Sequence, residues 1–292
     1  MKPADLALGV TVMLIWGVNF VAAKLGVGQL PPILLMAIRF AAVAALLLPF
    51  ARLPRGRFGR IAALSFTLGC AHFSCMFTGL RGLDAGTTAI LTQTQVPFAA
   101  GLAAVVYREN LGWVRAAGMV VAFAGVAMMA GEPRFTANLG SVALVLIAAF
   151  LWAASNIQIK QLGPINGTSL NAYLALLSAP QLALVSLTIE SNHGTSLANA
   201  DWRIVAFSIL YMAVLTQIVS YVMWYRLLRL YPVNNVMPLT LLVPVFGVLS
   251  GVVFLDEALG WRAIVGGAAT LIGVAIIVLY HRAPARQASG PS

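Results

Sequence analysis

The chain has 292 residues, of which 61% are hydrophobic and only 9% are charged. A soluble globular protein carries about 25% charged residues, so this composition excludes a chain with a large water-facing surface. The net charge of +10 comes from 18 Lys and Arg against 8 Asp and Glu. All of the basic residues except Lys24 and Arg39 lie at or near the ends of apolar runs. That distribution is typical of a membrane protein with basic loops and argues against nucleic acid as a partner, since nucleic-acid binders cluster their basic residues on one polar face.

Apolar stretches long enough to cross about 30 Å of hydrocarbon occur ten times. In chain order they cover roughly 4–26, 32–51, 58–79, 83–105, 112–130, 139–160, 168–189, 203–228, 232–255 and 260–280. The first run continues past Trp16 without a small-residue cleavage site, so we interpret it as a retained helix and not as a signal peptide. The sequence therefore predicts an all-α polytopic membrane protein with ten transmembrane helices and short loops.

Basic residues are divided unequally between the two sides of such a protein. With a cytoplasmic N-terminus, 12 Lys and Arg fall on the inner loops and 4 on the outer loops. The positive-inside rule then places both termini in the cytoplasm. Residues 282–292 are predicted to form a flexible cytoplasmic tail.

The two halves of the chain resemble each other. A Glu-x-Leu-Gly-Trp motif begins at Glu109 and again 148 residues later at Glu257. Further pairs at similar offsets are Gly118 with Gly266, Gly125 with Gly273, Pro97 with Pro244, and Trp16 with Trp152. Each half holds five spans, an odd number, so the second half enters the membrane from the opposite side. We predict inverted repeats at 1–131 and 139–281, with a site near the bilayer midplane at their interface and alternating access.

Several motifs together carry a resemblance to a known family. They are Trp16-Gly17 with Asn19, Arg39-Phe40, Pro97 and the Glu109 junction, with second-half counterparts at Trp152, Pro244 and the Glu257 junction. The chain resembles the drug/metabolite transporter superfamily of the EamA type, and within it is most similar to aromatic amino-acid exporters of the YddG type. The resemblance implies ten helices in two inverted five-helix repeats around a central cavity. It also implies export of amino acids or related metabolites, in a bacterial inner membrane.

Three charged or titratable side chains lie within or at the end of spans. Arg39, about 10 Å deep by the helical rise, either attracts a substrate carboxylate or snorkels to the interface or bonds to neighbouring carbonyls. Lys24 suits the C-terminal dipole of the first helix and an interfacial anchor. His72 either takes part in a proton-linked step or is a neutral imidazole bonded between helices.

Paired indole and amide groups recur in the two halves. Trp16 and Asn19 share a helix face, and so do Trp152 and Asn156. These faces either line a cavity at the repeat interface, suited to an apolar substrate with a polar head, or form an interfacial belt.

The remaining substrate-binding candidates are polar or aromatic residues within spans. They are Met76, Phe77, Gln93, Gln95, Tyr173, Gln217, Tyr221 and Trp224. The last three recur at i, i+4 and i+7 on one face, either lining the cavity or bonding between helices. Pro97 and Pro244 interrupt their helices and are predicted hinges.

Acidic residues occur only near span ends or in loops, which disfavours cationic drugs and carboxylate-based proton coupling. Phosphate-binding, zinc-protease and cysteine-ligand motifs are absent from the sequence. We therefore expect no enzyme activity, no cofactor and no metal. The expected partners are a small-molecule substrate and the lipid bilayer, and the oligomeric state stays open, a monomer included. The alternatives are export of drugs, nucleosides or sugar derivatives on the same fold, or a membrane scaffold without solute flux.

Overall fold

The computed structural model describes residues 1–52, 56–106, 108, 112–130, 138–163, 165–231 and 236–279. Over these residues the protein is built of helices and short connections, without strands. The helices of the first half are α1 (Pro3–Gln29), α2 (Pro32–Leu47), α3 (Phe58–Arg81), α4 (Ala85–Val106) and α5 (Trp113–Ala130). Those of the second half are α6 (Leu139–Leu162), α7 (Gly167–Ile189), α8 (202–230), α9 (Leu242–Leu255) and α10 (Trp261–Leu279). The predicted all-helical class is confirmed.

Length and composition allow eight of the described helices to cross a membrane. The two other apolar helices, Trp113–Met129 and Leu239–Leu255, are shorter. They correspond to the predicted fifth and ninth stretches. The predicted ninth stretch starts at 232, but residues 232–235 lie outside the described part of the chain. Glu109 of the first repeated motif and the predicted tail at 282–292 also lie outside it.

The third helix of each half changes its hydrogen-bond pattern partway along. Ser65–His72 of α3 is π-helical, and Tyr211–Val219 of α8 is π-helical as well. The second stretch begins 146 residues after the first. Such one- or two-turn π segments widen a helix locally and are frequent at functional sites.

The fourth helix of each half contains or follows a tighter 3₁₀ turn. Thr92–Thr94 interrupts α4 shortly before Pro97, and Met237–Leu241 precedes α9 shortly before Pro244. Each proline lacks the N–H that a regular helix would donate to the carbonyl four residues earlier. The irregular backbone of the two halves therefore occupies corresponding places.

Helix packing follows one pattern in both halves. The α1 helix packs on α8 and α9, and α6 packs in the same way on α3 and α4. Across the halves α2 pairs with α7, α4 with α9, and α5 with α10. Exchanging each helix of the first half with its counterpart in the second leaves these contacts unchanged.

Glycines allow the backbones of α5 and α10 to touch. Gly118 lies opposite Gly273, and Gly125 lies opposite Gly266. A Cβ atom on Gly118 would be 2.9 Å from the carbonyl oxygen of Gly273. The two helices are therefore antiparallel and pack with glycine facing glycine, which is the small-residue contact expected between membrane helices.

The surface of the bundle is apolar. Large side chains such as Phe66, Leu187 and Val253 are more than half exposed, as expected for a protein whose outer face contacts lipid. The two tryptophans of the repeated motif, Trp113 at 80% and Trp261 at 64% exposure, begin α5 and α10. Exposed indoles at helix ends are typical of the membrane–water interface.

Candidate functional site

One cluster of predicted residues forms where α1 meets α8. The indole of Trp16 donates a 2.7 Å hydrogen bond to the Oγ of Ser220. Its ring lies 5.8 Å from that of Tyr221 and 5.4 Å from that of Trp224, both tilted. Asn19, on the same face, accepts a 3.0 Å hydrogen bond from the hydroxyl of Thr216. The shared face that the sequence predicts for Trp16 and Asn19 is therefore directed at α8.

A second cluster surrounds the buried guanidinium of Arg39. One Nη2–H donates to the Oε1 of Gln217 at 2.8 Å, and the amide of Gln217 in turn donates to the Oδ1 of Asn171 at 3.0 Å. The guanidinium carbon lies 5.3 Å from the ring centre of Phe40 and 5.1 Å from that of Phe73. This chain of bonds joins α2, α8 and α7. The guanidinium also donates from Nη1 to the Sδ of Met36 at 3.8 Å, so an amide oxygen, a thioether and two aromatic rings surround the charge.

The Arg39 guanidinium has a donor that makes no hydrogen bond within the described part of the chain. The side chain is only 5% exposed, and its Nε is a buried donor with no hydrogen-bond partner among the described residues. Because a buried unsatisfied donor on a charged group is costly, this guanidinium retains capacity to bind a further acceptor. It does not snorkel to an interface. Bonding between neighbouring helices is present, but to side chains and not to backbone carbonyls.

His72 is buried in the π-helical part of α3. Its Nδ1 lies 2.8 Å from the carbonyl oxygen of Ala148 on α6. A carbonyl only accepts, so the proton is on Nδ1. The imidazole is therefore bonded between helices α3 and α6. The imidazole also packs edge-on against Phe73, at 4.7 Å between ring centres, which joins it to the Arg39 cluster.

Of the other candidates, Phe77 lies next to the Arg39 cluster, with its ring centre 6.0 Å from that of Phe73. Met76 and Phe77 are buried on α3, and Gln93 is buried on α4. Gln95, Trp152, Asn156 and Tyr173 are half-buried. The predicted hinges Pro97 and Pro244 are buried, each shortly after a 3₁₀ turn.

Sequence reasoning missed four residues that complete the two clusters. Asn171, Thr216 and Ser220 supply hydrogen-bond partners, and Phe73 supplies the second ring beside Arg39. Ser220 stands three residues after Gln217, on the face of the predicted stripe, so helical spacing could have found it. Nothing in the sequence brings Asn171 or Phe73 to Arg39, since they lie on other helices.

Charged groups collect at the two ends of the bundle. We call the end with Asp84, Glu190, Asp201, Asp256 and Glu257 the acidic end, and the opposite end the basic end. At the acidic end the ammonium of Lys24 donates to the carbonyls of Leu80, Arg81 and Leu83, where α3 finishes. Lys24 thus caps a neighbouring helix.

Burial raises the pKa of Glu257, which lies between α9 and α10 at the acidic end. Hydrogen bonds from the backbone N–H groups of Gly86 and Ala85 lower it. Asp84 raises it further, and Lys24 lowers it. Burial outweighs the favourable bonds, so the carboxyl holds its proton more tightly than an exposed glutamate does.

Other features of the described chain do not compete with these clusters. An open apolar depression along α5 is lined by Ala116, Met119, Val120, Phe123 and Ala124, and none of the predicted site residues belongs to it. Within the described ranges, no group of three or more His, Cys, Asp or Glu side chains could hold a metal ion.

Comparison with known proteins gives relatives along nearly the whole chain. The chain is 32% identical over 292 residues to a "Probable amino-acid metabolite efflux pump" of Salmonella typhimurium, covering 97% of each. It is 31% identical to a protein of the same description from Escherichia coli, covering 95% of this chain and 96% of the relative. It is 29% identical to a "Probable terminal-alkyne amino-acid exporter" of Streptantibioticus cattleyicolor, covering 82% and 80%.

A solved crystal structure, described only as that of a protein, has the same fold. Its TM-score is 0.58 at 17% identity, covering 94% of this chain and 96% of the other. The sequence model of the EamA-like transporter family matches residues 4–131 and again residues 139–279. With several apolar helices, this match makes the protein a multi-pass membrane transporter and not an enzyme. The chain belongs to the EamA-like transporter family.

Proposed function

We propose that the protein exports amino acids or related metabolites, with aromatic and other hydrophobic ones favoured, by alternating access through a central cavity. The observation that carries the proposal is the buried Arg39 guanidinium beside two phenylalanine rings and with an unused Nε donor. A guanidinium binds a carboxylate strongly in a low-dielectric setting. Relatives bearing amino-acid efflux and exporter names support the same substrate class.

The proposed architecture is ten transmembrane helices in two inverted five-helix repeats, 1–131 and 139–281. The family model matches each half separately, which supports this architecture. So do the exchangeable packing pairs and the π-helical stretches 146 residues apart. The helices α5 and α10 are antiparallel, and Gly118 faces Gly273 just as Gly125 faces Gly266. This exchange of equivalent glycines fits a twofold axis in the membrane plane.

In the proposed site Arg39 binds the substrate carboxylate. Gln217 holds the guanidinium in position, and Asn171 fixes the orientation of the Gln217 amide. The aromatic group of Trp16, Tyr221 and Trp224 lies further along α8 and supplies a surface for an apolar side chain. Trp152 and Asn156 line the cavity from the second half, with His72, Met76, Phe77, Gln93, Gln95 and Tyr173 around it. Bending at Pro97 and Pro244 lets the halves rock.

The proposed location is the bacterial inner membrane, with the basic end in the cytoplasm and the acidic end outside. The excess of Lys and Arg at the basic end supports this orientation. Export then means that substrate enters at the basic end and leaves at the acidic end.

The test is transport by the purified protein in liposomes, with labelled phenylalanine, tryptophan, leucine, a nucleoside, a sugar and a quaternary amine. We expect saturable transport of phenylalanine and tryptophan, and discrimination against phenethylamine, which lacks the carboxyl group. Arg39→Met should raise the KM for phenylalanine at least about tenfold, because a charge-assisted bond of about 1.5–3 kcal/mol is lost, and should abolish that discrimination.

Arg81→Met, which removes an exposed arginine at the end of α3, is the matched control and should leave KM unchanged. Transport restricted to the quaternary amine would refute the amino-acid proposal in favour of drug export. Absence of flux for every compound, with a specific protein partner recovered from the membrane, would favour the scaffold alternative.

A further inference from the structure

Two glutamates of the second half bind helix starts of the first half at the acidic end. Glu190, directly after α7, accepts from the N–H groups of Ile33 at 2.9 Å and Leu34 at 3.0 Å, where α2 begins. Glu257, between α9 and α10, accepts from Ala85 at 2.5 Å and Gly86 at 2.9 Å, where α4 begins. Each carboxylate uses both oxygens on two successive free N–H groups.

These contacts are stronger than ordinary loop hydrogen bonds for a physical reason. The first N–H groups of a helix have no partner within the helix, and the helix dipole favours a negative charge there. The Oγ of Ser186 also donates to Glu190, at 2.7 Å, which fixes its carboxylate. On the other side of Glu257, Lys24 binds the carbonyls that end α3. The loop between α3 and α4 is thus held from both sides.

The basic end is joined differently. There the hydroxyl of Tyr231, after α8, donates to the carboxylate of Asp5 on α1 at 2.8 Å and accepts from the N–H of Lys2 at 3.0 Å. The hydroxyl of Ser169 accepts from the N–H of Arg52 at 2.9 Å. The ion pair between Arg226 and Asp5 is long, at 3.8 Å, and its arginine side chain is 62% exposed. Among the described residues, these links are hydrogen bonds to single hydroxyl groups and a screened ion pair, whereas Glu190 and Glu257 each bind two N–H groups of a helix start.

We propose that Glu190 and Glu257 are the closing contacts of the acidic end. They hold the two halves together there, and both must release their helix starts before this end opens. The inference rests on the proposed transport function, since it assigns the contacts to one step of alternating access. In the proposed orientation they form the outer gate, and their release lets the exported compound leave.

The test measures the separation of the halves at each end by pulsed EPR on spin-labelled cysteines, in nanodiscs and without substrate. The background carries Cys70→Ala and Cys75→Ser. Gly28→Cys with Gly194→Cys reports the acidic end, and both glycines face open space. Gly59→Cys with Thr168→Cys reports the basic end, where both positions are exposed.

Removal of the two carboxylates should open the acidic end. We expect Glu190→Ala and Glu257→Ala each to raise the ratio of long to short distances at that end by about tenfold, the equivalent of about 1.4 kcal/mol. The double variant should raise it further. Glu257→Gln keeps one acceptor oxygen and should give a smaller rise, which provides a graded result if the alanine variants fold poorly.

Two controls separate a closing contact from loss of charge or general loosening. Asp256→Asn removes an exposed neighbouring charge and should leave the acidic-end distances unchanged. Tyr231→Phe removes an inter-half bond at the basic end and should lengthen only the distances there. Unchanged acidic-end distances in folded Glu257→Ala and Glu257→Gln would overturn the proposal. Lengthened distances in a protein that carries no amino acid would leave the closing contacts standing and refute the substrate class instead.

Discussion

At the scale of single residues, the proposed substrate site depends on the buried charge of Arg39. Its guanidinium is desolvated among phenylalanine rings and donates to the amide of Gln217 and to the Sδ of Met36. A buried charge without a countercharge is costly, and in the proposed site the substrate carboxylate would offset that cost. The cationic drugs carried by some transporters would meet repulsion here, whereas a carboxylate would meet its partner.

The Arg39–Gln217 bond makes a prediction about stability. Gln217→Leu removes the amide oxygen that lies 2.8 Å from the Nη2 of Arg39. The change should lower the free energy of unfolding by about 1–3 kcal/mol. Arg39→Met combined with Gln217→Leu should cost less than the sum of the two single changes, because both partners are then apolar. Thermal unfolding in detergent measures this cycle. Additive costs would show that the two side chains do not interact.

At the scale of helices, contact between backbones depends on the absence of side chains. A methyl group on Gly125 would overlap the carbonyl oxygen of Gly266 and the backbone of Thr270. These are backbone atoms of α10, so the helices themselves would have to separate. The paired glycines therefore fix the closest approach between the last helices of the two halves.

Gly125→Ala should destabilise the protein by about 1–3 kcal/mol through overpacking. Gly140→Ala on α6 is the matched control, since a Cβ atom there meets open space. That change should be neutral or slightly stabilising, because alanine restricts the unfolded chain. Thermal unfolding of both variants in one detergent makes the comparison. Equal midpoints would mean that α5 and α10 adjust freely.

At the scale of the whole molecule, the described residues join the halves through carboxylates at both ends. Glu190 and Glu257 accept from helix starts at the acidic end, and Asp5 accepts from Tyr231 at the basic end. Burial raises the pKa of Glu257 while the acidic end is closed, and hydration on opening would return it toward the ordinary value of 4.5.

This difference gives the sign of a pH effect. Burial disfavours the charge of Glu257 in the closed state more than the N–H groups of the helix start favour it. The closed state therefore binds a proton on Glu257 more tightly than the open state, and acidification favours closure. The effect is complete below the ordinary pKa and disappears as the pH rises through the raised one. The facing Lys24 and Asp84 act in opposite directions. The acidic-end label pair, measured across pH, should show shorter distances in acid, and Glu257→Ala should remove the dependence. Opening in acid would contradict the prediction.

The sequence by itself determined the class of the protein. The sequence predicts a helical membrane transporter of this family from ten apolar runs, the charges of the loops and two Glu-x-Leu-Gly-Trp motifs. This is possible because a membrane helix forms its backbone hydrogen bonds within one segment, so its length can be read from the sequence. The sequence offset relates Gly118 to Gly266 and Gly125 to Gly273, but it did not predict the contacts, in which Gly118 faces Gly273 and Gly125 faces Gly266.

Only the tertiary structure decided which polar groups meet. Asn171, Gln217 and Arg39 come from three helices, and the rotation of each helix about its axis is set by packing that no local pattern records. The same holds for Glu190 and Glu257, which read as loop acids in the sequence. Their role depends on helix starts more than 150 residues away in the chain, which only folding brings within hydrogen-bond distance.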